Sequence, residues 1–166
     1  MTAQLSAIRR IVPDLVASAE LSVETPGEGL TEITREAAAF LKGAGAQDGV
    51  LFLYLRHTSA SLLIQENADP DVRSDLVTAL RRLAPEDAGW VHTTEGPDDM
   101  PAHVKTMLTG VSLHIPVAAG RMALGTWQGL YLAEHRTRPH RRGIVLQFVG
   151  NASRPDSSSG GHKQDF

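Results

Sequence analysis

Four places in this chain gather side chains able to move protons or hold a cation. They are His57-Thr58-Ser59, Glu66-Asn67 with Asp69, the stretch from His92 through Glu95, Asp98 and Asp99 to His103, and Glu134-His135-Arg136. His92 and His103 flank an acidic loop, and Glu95 follows His92 at a spacing of three. Neutral imidazole and carboxylate together suit zinc, manganese, iron or nickel. A third imidazole from His57 would complete a three-ligand set with the open position that catalytic metal sites keep. The chain has no cysteine, so thiolate zinc sites, disulfides and cysteine nucleophiles are excluded. No HExxH or similarly compact signature accompanies the histidines, and a metal-free pocket in which they hydrogen-bond an anion stays open.

Arg136, Arg138, Arg141 and Arg142 offer a second chemistry, because guanidinium forks bind phosphate bidentately. The alternative is a solvated loop between strands. Ser59 and Ser61 lie beside His57, but residues two apart on a strand share a face without necessarily touching, and no nucleophile elbow surrounds them. Gly125 and Gly129 in GTWQG form neither a P-loop nor a dinucleotide fingerprint. Ser59 and Asp69 also suit turn or capping hydrogen bonds, and Asp99 suits a helix cap.

Elements must bring these groups together. Leu21 and Val23 alternate with polar neighbours before Thr25-Pro26-Gly27, which predicts one or two strands in the first 25 residues. Leu30, Ile33, Ala37 and Leu41 fall at helical spacing, with Gly43 placed to end the helix. Val50 to Leu55 reads as a strand buried on both faces and leads into His57. Ala60, Leu62 and Ile64 predict a second strand whose other face, Ser59 and Ser61, is more polar. Asp69 as cap and Pro70 at the first position open a helix whose Val72, Leu76, Leu80 and Leu83 mark one face, ended before Pro85. A shorter helix is expected from Pro101 to Thr109, capped by Asp98 or Asp99, with His103 in its first turn and Gly110 after it. Alternation at Val111, Leu113, Ile115 and Val117, a Gly-punctuated segment from Met122 to Leu132, and a run from Ile144 to Val149 predict closing strands.

A chain of 166 residues fits one domain with a tail and is long enough for one core. Its 42% hydrophobic and 21% charged residues match an ordinary globular mixture. A formal charge of −3 supplies no overall field for nucleic acid or an anionic membrane, so neither is expected as a partner. No segment approaches a membrane-spanning apolar run and no export signal opens the chain, so a soluble cytoplasmic protein is expected. Without such a signal the Asn151-Ala152-Ser153 pattern is read as chance rather than glycosylation. Order is expected to stop at Gly150, leaving 151–166 as a tail and placing His162 outside the site.

The ordered segments HTSASLLIQENADPDVRSDL at 57–76, EGPDDMPAHVK at 95–105 and GVSLHIPVAAGRMALGTWQGLYLAEHR at 110–136, with the Arg141-Arg142 pair before the last strand, resemble the YjbQ-like family. The resemblance runs from Leu15 to Gly150. It implies a single α+β domain with antiparallel sheet, a homotrimer with sites near subunit contacts, and a secondary thiamine-phosphate synthase activity. In that activity a pyrimidine pyrophosphate and a thiazole phosphate join with loss of pyrophosphate. His57, Ser59, Glu134 and Arg136 match the family's pattern and are expected to be catalytic. Asn67, Asp69, Trp127, Gln128 and Arg141 are expected to bind a small phosphorylated or anionic substrate, with Gly125 beside them. His57, His92 and His103 are expected to hold a divalent ion, zinc or another transition metal. A metal-dependent hydrolase and a non-enzymatic ligand- or metal-binding trimer are the alternatives.

Overall fold

The computed structural model describes residues 2–153. Its elements are β1 (Leu15–Thr25), β2 (Gly29–Glu32), α1 (Thr34–Gly43), β3 (Ala46–Leu55), β4 (Ala60–Glu66), α2 (Pro70–Leu83), α3 (Asp99–Thr109), β5 (Ser112–Ala118), β6 (Arg121–Met122), β7 (Gln128–Glu134) and β8 (His140–Ala152). Five strands in the order β1-β8-β3-β5-β6 form one antiparallel sheet, and β2-β7-β4 form another. This is the expected α+β domain with three helices.

Period-two alternation builds the core. Leu51, Leu53 and Leu55 of β3, Ile115 and Val117 of β5, and Ile144, Leu146 and Phe148 of β8 face inward from the larger sheet. Ala60 and Leu62 of β4 and Leu130 and Leu132 of β7 meet them from the smaller one, and Ile33, Ala37 and Leu41 close the cluster beside α1. At the far end β3 and β8 press together: a Cβ on Gly49 would fall 2.3 Å from the Val149 carbonyl oxygen, so that position admits only glycine.

The structure moves several expected boundaries. Leu30 is not helical; it pairs with Ala133 in the β2–β7 ladder, and α1 starts at Thr34. β3 is longer than Val50–Leu55 and buries one face only, with Tyr54 52% exposed. Ser61, placed on a polar face by its type, is fully buried. The first strand is a single one, and Met122 to Leu132 splits into β6 and β7.

α2 has its expected cap, the Asp69 carboxylate accepting the Asp71 N–H at 2.9 Å, but no residue of α2 is buried within the single chain. α3 starts at Asp99, and neither Asp98 nor Asp99 caps it with its side chain. β8 continues past Gly150 to Ala152, and the Ser153 N–H donates to the Gly45 carbonyl at 2.8 Å. The rest of the expected tail, His162 included, lies outside the described residues.

Candidate functional site

The earlier start of α3 decides the site. Asp99 and His103, four residues apart, share one helical face, and the loop before α3 returns His92 to the same place. His92 Nε2 lies 2.7 Å from Asp99 Oδ2, and His103 Nε2 lies 3.4 Å from the same oxygen. The ring centroids are 5.7 Å apart, and one ligand atom from each of the three residues falls within 4.8 Å of the others. Asp99 is 1% exposed while both rings reach solvent. Among the described residues this is the one group of three or more His, Asp or Glu side chains with metal-ligand spacing.

His103 Nδ1 lies 2.8 Å from the Thr58 carbonyl oxygen. A carbonyl only accepts, so Nδ1 must carry a proton and the neutral ring keeps its lone pair on Nε2, facing Asp99. A backbone carbonyl behind a ligating imidazole is the usual second support of a metal-bound histidine.

Arg136, just past β7, closes the site from behind. Its guanidinium pairs with Asp99 Oδ1, donates from Nε to Asp98 Oδ2 at 3.2 Å and reaches the Glu95 carbonyl at 2.7 Å. Burial alone would raise Asp98, but the Thr137 N–H and hydroxyl, together with Arg136, outweigh it and hold the carboxyl at about 2. Arg136 is therefore neutralised by protein carboxylates and positions Asp99.

His57 sits beyond β3, outside the His92–Asp99–His103 group. Its Nε2 accepts the Gly143 N–H at 3.0 Å, so that lone pair is engaged, and its Nδ1 lies 3.5 Å from Arg142 Nη1. Burial first, then the Arg142 charge, lower its pKa and keep the ring neutral. The contribution of this segment to the group is the Thr58 carbonyl, and Asp99 stands where a third imidazole was expected. Ser59 Oγ accepts from Arg142 Nη2 at 3.2 Å, and Glu134 binds that same guanidinium.

The expected substrate-binding residues fall into two places. Arg141 is on the outer face of β8, donating from Nε to Ser22 Oγ at 2.7 Å. Asn67, Asp69, Trp127 and Gln128 cluster where β4 and β7 pair Glu66 with Gln128, the opposite end of the ladder from Ala60–Glu134. Six residue steps of strand separate the ends, about 20 Å. There Asn67 Nδ2 donates to the Gln128 carbonyl at 3.4 Å, the Gln128 side chain accepts the Gly125 N–H at 2.8 Å, and Trp127 is 65% exposed. Within one chain this cluster does not meet His57, Ser59, Glu134 and Arg136.

Two buried pairs escaped the sequence reading. Ser61 Oγ and His135 Nε2 are 2.8 Å apart, and burial drives the His135 pKa down to about 4. Arg142 and Glu134 form the other. A signal existed: Leu130, Leu132 and Glu134 share a strand face, as do Arg142, Ile144, Leu146 and Phe148. A charge in an inward row demands an opposite partner.

Residues 19–151 match the family model described as UPF0047 protein YjbQ-like. The chain is 47% identical over 131 residues to a UPF0047 protein of Synechocystis, covering 78% of this chain and 89% of that one. It is 45% identical over 123 residues to the UPF0047 protein YjbQ of Salmonella typhimurium, covering 74% and 89%. A solved structure from Thermus thermophilus superimposes with a TM-score of 0.69 at 39% identity, covering 76% and 97%. A YjbQ/UPF0047 structure from Clostridium acetobutylicum gives 0.73 at 33%, covering 78% and 98%.

Proposed function

Because the chain belongs to the YjbQ-like UPF0047 family, we propose that His92, Asp99 and His103 hold a divalent transition metal and act on a small phosphorylated substrate. The observation that carries this reading is the contact of His103 Nδ1 with the Thr58 carbonyl, which turns Nε2 towards a carboxylate and a second imidazole. Two imidazoles and one carboxylate suit zinc, manganese, iron or nickel and leave coordination positions for substrate. Arg136 occupies the other Asp99 oxygen, which favours single-oxygen ligation by that carboxylate.

When bound, the ion supplies positive charge to a phosphate or pyrophosphate leaving group. Arg136 aims Asp99 by holding its Oδ1 oxygen, while the His57 ring, with its Nε2 lone pair engaged by the Gly143 N–H and its pKa lowered by burial and the Arg142 charge, stays a neutral positioning group on the Thr58 side of the site. The reaction class we infer, from the likeness to the family, is group transfer with loss of pyrophosphate, as in thiamine-phosphate synthesis. A metal-dependent hydrolase is the second reading, favoured by the open positions, where water can bind in place of a second substrate. We also infer, from the likeness to the family, a homotrimer with sites near the subunit contacts.

Calorimetry on metal-stripped protein tests the first step. Zinc, manganese, iron(II) or nickel should bind at about one ion per chain, and His103→Ala should weaken that binding at least about tenfold, the size expected for losing a ligand. Absence of heat with all four ions overturns the metal reading. With metal present, release of phosphate from one substrate alone would assign hydrolysis, and pyrophosphate release only with both substrates would assign transfer.

A further inference from the structure

Two guanidinium groups are not locked into buried pairs and meet at one cavity. It has a volume of about 680 Å3 and is lined by Glu20 and Ser22 of β1, Arg56 and His57 beyond β3, and Arg141 and Gly143 of β8. β1 and β8 pair Ser22 with Gly143 and Glu24 with Arg141, so alternate residues of both strands point to this side. Arg142, between the last two, points to the core.

Arg56 pairs with Glu20 and Arg141 with Glu24, the latter at 3.6 Å, with all four side chains more than half exposed. Exposed pairs of this kind are weak and screened by solvent, so an incoming anion can replace them. Arg141 Nε donates to Ser22 Oγ at 2.7 Å, which leaves the Ser22 hydroxyl hydrogen free to donate into the cavity. The floor is open because residue 143 is glycine: a Cβ there would stand 2.8 Å from Glu20 Oε1 and 3.8 Å from Arg56 Nη2.

We propose that this cavity is a phosphate-binding subsite in which Arg56 and Arg141 grip the phosphate oxygens and the Ser22 hydroxyl donates a further hydrogen bond. Two forked cations and a hydroxyl match a tetrahedral dianion with several acceptor oxygens. Glu20 is the gate: its carboxylate occupies Arg56 at rest and must give way to the ligand. The subsite goes beyond the metal reading and is independent of it, since none of Ser22, Arg56 and Arg141 belongs to the His92–Asp99–His103 group.

The test titrates inorganic phosphate and phenyl phosphate into metal-stripped protein held in chelator, so that failure of the metal reading leaves it intact. Saturable binding is expected. The paired Arg56→Gln and Arg141→Gln variant should weaken it about tenfold or more, the loss expected for charge-assisted hydrogen bonds. Glu20→Gln should tighten it, a gain that general surface charge without a gate would not distinguish from any other lost carboxylate; Glu36→Gln, on α1 and away from the cavity, is the control and should leave affinity unchanged. Tighter phenyl phosphate assigns the subsite to a phosphate ester, tighter inorganic phosphate to the free ion. No saturable binding by the wild type, or equal binding by the double-arginine variant, overturns the proposal.

Discussion

Arg142 and Glu134 hold each other by two parallel hydrogen bonds, 2.7 Å from Nε to Oε2 and 2.5 Å from Nη2 to Oε1, with side chains 5% and 1% exposed. Glu134 also accepts the Thr25 hydroxyl at 2.8 Å and the Arg136 N–H at 3.0 Å. Burial would raise its pKa, but Arg142, that N–H and the hydroxyl lower it. A continuous polar chain thus runs from His57 through Arg142, Glu134 and Arg136 to Asp99.

Removing the charge at its centre should be costly. Glu134→Gln keeps the shape but leaves Arg142 buried without a counter-charge, which is expected to cost about 3–5 kcal/mol. Glu20→Gln, at an exposed pair, should change stability by less than about 1 kcal/mol. Urea unfolding of the two variants compares them directly. Equal small losses would mean that the buried pair is no more than a surface one.

Assembly gives a second expectation. Tyr54, Met107 and Leu108 are 52%, 76% and 55% exposed, and α2 buries no residue in the single chain. Exposed apolar side chains such as these suit a contact between copies, and three copies is the assembly proposed above. Light scattering should give about three chain masses, a closed cyclic assembly, and Met107→Glu should shift it towards the monomer. A wild-type monomer at micromolar concentration would remove the expected inter-subunit site as well.

Local signals were the ones legible in the sequence. Asp69-Pro70 capped α2 as read, because a cap involves neighbours only. Leu30 matched the helical period of Ile33, Ala37 and Leu41, yet its backbone is claimed by Ala133, a partner about a hundred residues away that no local pattern records. The site divides in the same way. His92 and His103 were found by their spacing around an acidic loop. Which further group joins them depends on where α3 begins and how His57 turns at the end of β3, and both are set by packing between sheets. Spacing therefore offered His57, while the fold supplies Asp99 as ligand candidate and Thr58 as its support.

The acid limb of stability carries the last prediction. His135 is buried against Ser61, and burial lowers its pKa from the ordinary 6.5 to about 4. Between those values the unfolded chain takes up a proton that the folded chain refuses, so stability falls as pH drops from 6.5 towards 4 and this contribution is flat below. The full span corresponds to at most about 3 kcal/mol, and His57, lowered in the same direction, adds to it. Asp98 acts in a lower window: its carboxyl, held at about 2 against an ordinary 3.8, stabilises the fold above that range and loses its effect as pH falls through it. Urea unfolding from about pH 7.5 down to about pH 2 should therefore show two descending steps, the upper governed by histidine. His135→Gln removes the larger of the two titrating contributions and should shrink the upper step to the part due to His57, leaving the lower one in place. If the wild type is equally stable at neutral pH and near pH 5, or if the variant keeps the upper step at full size, then the neutral buried His135 is not what sets the acid sensitivity of this fold.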